Sequence, residues 1–185
     1  YVILSLKLAY PKQVILLRGN HEAPKSLMAY PHDLPIQFQL HFQNDWQVIY
    51  NNLYRFFDLL YNAAYVEGRY LMVHGGVSPQ IHSFEDLAEA NETSGLLEIL
   101  LWSDPDEAIQ EVAASTRGAG ILFGKKVTLQ VLEALNLKVL IRGHEACEQG
   151  FKINHDGKVL TVFSTKGEPY FNSHAAYLNL SLEKK

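Results

Sequence analysis

Three short apolar runs, each followed closely by a histidine near a glycine, constrain the fold of this 185-residue chain more than any other feature. The runs cover residues 14–17, 70–73 and 139–141, and the segments that follow read R-G-N-H-E, H-G-G and R-G-H-E. Uninterrupted apolar runs of this length are typical of strands that are buried on both faces of a sheet. We therefore expect the three histidines to converge on one rim of the sheet, where open α/β folds usually place their sites.

The remaining sequence alternates helical and strand patterns early and carries antiparallel strand patterns late. Helices are predicted over residues 1–9, over two segments of 36–60 divided near Asn44, and over 84–91, 96–101, 107–113 and 128–136, with one turn over 25–30. Strands are predicted over 13–17, 63–66, 70–73, 137–141, 151–154, 158–163 and 175–182, and a glycine-rich loop over 116–124. The pattern indicates an α/β fold with mixed sheets flanked by helices.

Composition narrows the class of protein. The net charge of −4, without a cluster of basic residues, argues against nucleic-acid binding. No apolar run reaches the roughly 20 residues that span a bilayer, which argues against a membrane segment. The single cysteine, Cys147, excludes an internal disulfide. We expect one cytoplasmic domain over residues 1–185.

The shared context of three histidines indicates a common chemical role. His21, His74 and His144 each lie within two positions of a glycine after an apolar run, although any one alone is more typical of a structural histidine. Imidazole nitrogen suits transition metals, and the Asn20 amide oxygen adds a harder donor. The other histidines are predicted to be surface residues: His32, His41, His82, His155 and His174.

Five motifs in order carry a resemblance that covers residues 1 to about 178. They are L-L-R-G-N-H-E, H-G-G, L-W-S-D-P, R-G-A-G-x-x-F-G and R-G-H-E. In this order they resemble the phosphoprotein phosphatase family, metal-dependent serine/threonine phosphatases of the calcineurin-like metallophosphoesterase fold. The P-H-D-L-P stretch and the S-T-R-G-A-G loop look more like the archaeal and prokaryotic branch.

The resemblance implies a role for each matching residue. Asn20, His74 and His144 would ligate the second metal of a binuclear centre. His21 would be the general acid that protonates the leaving serine or threonine oxygen, and Arg117 would bind phosphoryl oxygens. The implied reaction is hydrolysis of a phosphoprotein by in-line attack of a metal-bridging hydroxide, with two divalent ions, Mn²⁺ or Fe/Zn, per complete site.

Supporting residues are implied in the same way. Glu22 and Asp104 would orient ligands rather than touch substrate. Tyr170 or Phe171 would take the place of the aromatic residue that covers the site in eukaryotic members, although this loop departs from their S-A-P-N-Y-C-G motif.

The two arginines that precede the motifs have a structural interpretation. Arg18 and Arg142 lie at predicted strand ends and are expected to pair with buried carboxylates.

Two motifs of the family, G-D-x-H-G and G-D-x-x-D-R-G, do not occur in this chain. In the family they supply the first-metal ligands, the bridging aspartate, the carboxylate that orients the general acid, and a further phosphate-binding arginine. We therefore expect a phosphoesterase domain that is incomplete at its N-terminus. The expected phosphatase activity is at most trace, with weak metal occupancy.

Two alternatives remain open from the sequence. One is a dinucleoside-polyphosphate hydrolase or broad phosphodiesterase of the same superfold, although the glutamate of G-N-H-E and the W-S-D-P segment favour a protein phosphatase. The other is a non-catalytic fragment or binding module. A regulatory partner is not indicated by any motif.

Overall fold

The computed structural model describes residues 2–181, which form two sheets and the helices around them. The larger sheet has the strand order β1-β2-β6-β8-β7, with β1 (Ala63–Val66), β2 (Tyr70–Val73), β6 (Val139–Arg142), β7 (Phe151–Asn154) and β8 (Val159–Val162). The three central strands are parallel, and β1 and β7 run antiparallel at the edges. The smaller sheet has the order β3-β5-β4, with β3 (Asp104–Pro105), β4 (Val112–Ala114) and β5 (Ile121–Phe123).

Six α-helices accompany these sheets in the part of the chain that the structure describes. They are α1 (Val2–Ala9), α2 (Leu34–Phe42), α3 (Trp46–Phe57), α4 (Phe84–Ala88), α5 (Leu96–Trp102) and α6 (Lys125–Ala134), with 3-10 turns at Asn20–Glu22, Lys25–Leu27 and Gln43–Asp45. Helix α4 begins at Ser83, whose hydroxyl accepts a hydrogen bond from the Asp86 backbone while the Asp86 carboxylate accepts one from the Ser83 backbone. None of the helices within residues 2–181 is long and apolar enough to span a membrane.

The parallel pairing of β2 with β6 places the candidate site. Leu71 lies opposite Leu140 in the register, and both side chains are fully buried in the main core, to which α6 contributes Val127 and Val131. Because parallel strands end at the same edge of a sheet, the loops after Val73 and Arg142 emerge side by side.

The expected fold class is confirmed, and so are most elements. The β1–β2 and β7–β8 hairpins, the division of α2 from α3 and the helix over 96–101 follow the predicted pattern. Helix α6 begins three residues earlier than predicted, at Lys125.

The strand predicted over residues 13–17 is wrong. Only Leu17 forms a bridge, to Tyr61, and Ile15 is 59% exposed, so this run is not buried on both faces. Two backbone hydrogen bonds attach it to a distant segment. The Arg18 N–H donates to the Tyr61 carbonyl, and the Tyr61 N–H donates to the Leu16 carbonyl. A ladder needs a partner over several residues, and within residues 2–181 this segment meets one only at Tyr61.

Three further predictions fail. The helix predicted over 107–113 does not form, because residues 107–111 form turns and bends and residues 112–113 belong to β4, which pairs with β5. Strand β5 itself lies within the predicted glycine-rich loop. No strand forms over residues 175–181, where Ala176 makes one backbone bond to Phe163, while Leu182 lies outside the described residues.

Candidate metal centre

Asn20, His74 and His144 come together beyond the carboxyl ends of β2 and β6. His74 Nε2 lies 2.9 Å from the Asn20 amide oxygen, which accepts its hydrogen bond. The rings of His74 and His144 are 5.1 Å apart between centroids, and the Trp102 ring stands edge-on to His144 at 5.7 Å. Asn20 and the two histidines thus lie at one rim of the larger sheet.

Burial keeps the two imidazoles neutral. The pKa of His74 is lowered to about 3, mainly by burial and then by the charges of His144 and Arg142. The pKa of His144 is lowered to about 4, again mainly by burial, while the Asp104 carboxylate opposes the shift. Neutral imidazole carries the lone pair that binds metals, so both groups are in the ligating form near pH 7.

Glycines allow the close approach of these loops. A Cβ atom on Gly19 would lie 2.6 Å from Glu22 Oε2 and 3.3 Å from the His74 ring. A Cβ atom on Gly75 would lie 2.7 Å from the backbone of Leu101 and Trp102. Gly75 therefore requires a residue without a side chain, because its neighbours are backbone atoms, whereas a side chain at position 19 would displace the Glu22 carboxylate.

Arg142 lies behind the centre with its side chain fully buried. Its guanidinium contacts the carboxylates of Asp104 at 2.7 Å and Glu145 at 2.6 Å. Burial lowers its pKa from the ordinary value, and the two carboxylates oppose that shift. The prediction that Arg142 pairs with a buried carboxylate agrees with this geometry, because Asp104 is itself buried.

Arg117 and Arg142 share the Asp104 carboxylate. Arg117 Nε donates to Asp104 Oδ2 at 2.5 Å, while Arg142 occupies Oδ1. The Arg117 side chain is partly exposed, and it lines a cleft together with Thr116 and Glu145. Because Nε donates to Asp104, the other N–H donors of Arg117 are those of its two Nη groups.

A family model described as calcineurin-like phosphoesterase matches residues 2–148. The chain belongs to the calcineurin-like phosphoesterase family. It is 34% identical over 184 residues to the serine/threonine-protein phosphatase 6 catalytic subunit of Caenorhabditis elegans, covering 95% of this chain and 53% of that protein. It is 34% identical over 175 residues to the serine/threonine-protein phosphatase ppe1 of Schizosaccharomyces pombe, covering 91% and 56%.

A solved structure supports the same assignment. The chain is similar, with a TM-score of 0.72 and 27% identity, to a serine/threonine phosphatase from Saccharomyces cerevisiae with similarity to human phosphatase PP5. The match covers 88% of this chain and 51% of that one. The chain spans about half the length of the curated relatives it matches.

The set of possible metal ligands in this chain fits a divalent metal ion. His144 Nε2 is buried and has no hydrogen-bond partner within residues 2–181, which is costly unless a ligand satisfies it. A metal ion bound by His74 and Asn20 would take the place of their hydrogen bond. Over the same residues, no group of three or more His, Cys, Asp or Glu side chains is arranged to hold a metal. The candidate ligands are instead the imidazoles of His74 and His144 and the amide of Asn20.

His21 and Glu22 lie at the edge of this centre. His21 is exposed, and its charge is close enough to lower the pKa of both His74 and His144. Its ring stacks 6.5 Å from the ring of His32. Glu22 Oε2 accepts a hydrogen bond from the Gly19 backbone, so this carboxylate stabilises the turn that carries Asn20.

The other predicted site residues lie apart from the three donors. Tyr170 packs its ring against Phe163, and Phe171 is 75% exposed. Among the described residues, neither makes a ring contact with His74 or His144. Arg18 pairs with Asp58, whose side chain is largely exposed, so the expectation of a buried carboxylate partner is wrong for Arg18.

Two histidines were misassigned to the surface. His155 is fully buried, with its ring 2.8 Å from the Thr128 hydroxyl of α6. His32 is half-buried and lies 3.0 Å from the Tyr50 hydroxyl of α3. Both positions look polar in sequence because they adjoin turns, and no local signal reveals the helices that cover them. His41, His82 and His174 are exposed as predicted.

Proposed function

We propose that this chain acts as a metal-dependent phosphoprotein phosphatase on phosphoserine and phosphothreonine. The observation that carries the proposal is the convergence of Asn20, His74 and His144, with two neutral imidazoles, beside the cleft that Arg117 lines. Relatives that are serine/threonine phosphatases support the same reaction class.

Each residue has a defined task in this proposal. Asn20, His74 and His144 would hold a divalent metal, which when bound supplies Lewis-acid activation of the phosphoryl group and of the attacking water. Arg117 binds phosphoryl oxygens through the outer edge of its guanidinium, because its Nε is already committed to Asp104. His21, exposed at the edge of the centre, gives a proton to the leaving alkoxide oxygen.

Supporting roles are assigned to Glu22, to Asp104 and to one of two aromatic residues, Tyr170 or Phe171. Glu22 stabilises the turn that carries Asn20, and Asp104 holds Arg117 in place. Tyr170 or Phe171 is assigned to covering the substrate, on the strength of the family resemblance and their exposure.

Finer properties are also proposals. We assign Mn²⁺, with Fe/Zn as the alternative, since imidazole and amide donors accept all of these ions. A cytoplasmic location follows from the single cysteine and the sequence without a long apolar run. Membership of the archaeal-like branch rests on P-H-D-L-P and S-T-R-G-A-G alone.

The test measures phosphate release from a radiolabelled phosphothreonine peptide with Mn²⁺ present. We expect only trace turnover by the 185-residue chain, and His21→Asn should reduce that turnover to the rate measured without protein while it retains metal binding. His74→Ala and His144→Ala should lose both turnover and metal. His82→Asn, at an exposed histidine of the loop before α4, serves as the matched control.

Two outcomes would contradict the assignment. Unchanged turnover in His21→Asn would remove His21 as the proton donor. Faster hydrolysis of a diadenosine polyphosphate than of the phosphopeptide would favour the dinucleoside-polyphosphate hydrolase instead.

A further inference from the structure

We propose that Arg142 is the positioning residue that joins the two histidine loops of the centre to the segment that holds Arg117. The proposal rests on the proposed function for the roles of His74, His144 and Arg117. It assigns to Arg142 a task beyond pairing with one carboxylate.

The guanidinium of Arg142 uses all five of its N–H donors. Its Nε atom donates to the Gly75 carbonyl at 2.6 Å, its Nη1 atom to two side chains and its Nη2 atom to two further acceptors. The Nη partners are Glu145 Oε2 at 2.6 Å, Thr161 Oγ1 at 3.5 Å, the Ser103 carbonyl at 3.2 Å and Asp104 Oδ1 at 2.7 Å.

These acceptors come from the separate segments that build the centre. Gly75 directly follows His74, and Glu145 directly follows His144. The second carboxylate oxygen of Asp104 accepts the hydrogen bond from Arg117 Nε. Because the guanidinium is planar and rigid, one side chain fixes the distances between these three segments.

The contacts of Arg142 surround a residue with an unusual backbone conformation, His144. His144 has a φ of 69°, in the left-handed region that residues other than glycine rarely occupy. It lies between Arg142 and Glu145, which are tied to each other across it. Such a conformation persists only where the surrounding contacts determine it.

Lysine cannot reproduce this arrangement. Its ammonium has three donors and no fork, so at least two of the five acceptors would lose their partner. Arg142→Lys therefore keeps the buried charge opposite Asp104 but releases some of the segments.

The first test observes the two rings directly in the 185-residue chain without metal. Histidine ring ¹⁵N resonances are recorded at one fixed pH for the wild type and Arg142→Lys. We expect the His74 and His144 signals both to shift. Thr128→Val is the control, because it removes a buried hydrogen bond in which Arg142 takes no part and should shift only His155. Unchanged His74 and His144 signals in folded Arg142→Lys would overturn the proposal.

A second variant keeps the test decisive if Arg142→Lys does not fold. The double variant Arg142→Gln, Asp104→Asn removes both charges of this buried pair, and it is compared with Asp104→Asn alone. The double variant should shift the His74 signal further than the single one. Identical His74 signals in the two would exclude a positioning role.

A metal-binding measurement distinguishes this proposal from the proposed function. Co²⁺ is titrated and followed by visible absorption, and Arg142→Lys should bind it about 10–100-fold more weakly than the wild type, with Thr128→Val unchanged. Equal Co²⁺ affinity in Arg142→Lys would contradict the proposal. If the wild-type chain binds no Co²⁺, the proposed metal centre fails, and the ring signals alone decide the role of Arg142.

Discussion

At the scale of single residues, burial has opposite consequences for the basic and acidic groups near the centre. It lowers the pKa of His74 and His144, because an imidazolium loses its hydration when it is enclosed. It raises the pKa of the Cys147 thiol, because the thiolate is the charged form there. The same desolvation thus gives metal-ready imidazoles and an unreactive thiol.

Cys147 offers a direct test of this effect. Burial first, and then the Glu145 carboxylate, raise the thiol pKa from its ordinary value of 9.0. Because the thiolate is the nucleophile, we expect the native chain to react with iodoacetamide near pH 7 much more slowly than the chain unfolded in urea. Mass spectrometry follows the single adduct, since the sequence has one cysteine. Equal rates in native and unfolded chains would show that Cys147 is accessible.

At the scale of elements, the turn between β7 and β8 is attached to the segment that follows β3. Glu107 Oε1 accepts hydrogen bonds from the His155 backbone at 2.6 Å and from Asn154 at 3.1 Å. The His155 ring lies 3.3 Å from the Asp106 carbonyl. The segment that begins with Asp104 is therefore held at both ends, by Arg142 and by this turn.

Glu107 makes this attachment depend on pH. The His155 backbone bond is the main cause of its lowered pKa, so folding favours the ionised carboxylate. The resulting stability is fully present above the ordinary pKa of 4.5 and is lost as pH falls through the lower folded value. Glu107→Gln should therefore be less stable than the wild type at pH 6, and the difference should shrink below about pH 4.5.

Urea unfolding at a series of pH values measures that difference. Glu133→Gln, on the exposed face of α6, is the control and should show little difference at any pH. A difference between wild type and Glu107→Gln that stays constant from pH 6 to pH 3 would show that the carboxylate charge is not involved.

At the scale of the whole molecule, one apolar core supports the rim that carries the site. Leu71, Leu140 and Val159 lie on the three parallel strands with no exposed surface, and Val131 of α6 covers them. The centre depends on this core because His74 and His144 emerge from the ends of two of these strands.

Leu140→Ala tests that dependence. Removing a fully buried leucine side chain should cost about 2–5 kcal/mol of the free energy of unfolding, through lost transfer energy and the cavity left behind. Denaturant unfolding measures the cost, and Leu40→Ala on the exposed face of α2 should stay within about 0.5 kcal/mol. A cost below about 1 kcal/mol for Leu140→Ala would show that this strand is not central to the core.

Local sequence was sufficient to predict the elements that are stabilised by contacts between residues close together in the chain. The β1–β2 hairpin, the Ser83 cap of α4 and the boundary between α2 and α3 depend on residues a few positions apart. The helix predicted over 107–113 failed because Val112 and Ala113 pair with β5 instead. The strand predicted over 13–17 failed for the opposite reason, since an apolar run becomes a strand only where a neighbouring segment supplies a ladder.

For the candidate site, the sequence by itself determined the family and the donor types, because the motifs around Asn20, His74 and His144 are contiguous and keep their order. Only the tertiary structure decided the rest. The pairing of β2 with β6 brings residues 74 and 144 together, and the acceptors of Arg142 come from positions 75, 103, 104, 145 and 161. His155 is buried because α6 covers it. These contacts join positions far apart in the chain, so no local pattern encodes them, and packing of the core alone brings them into contact.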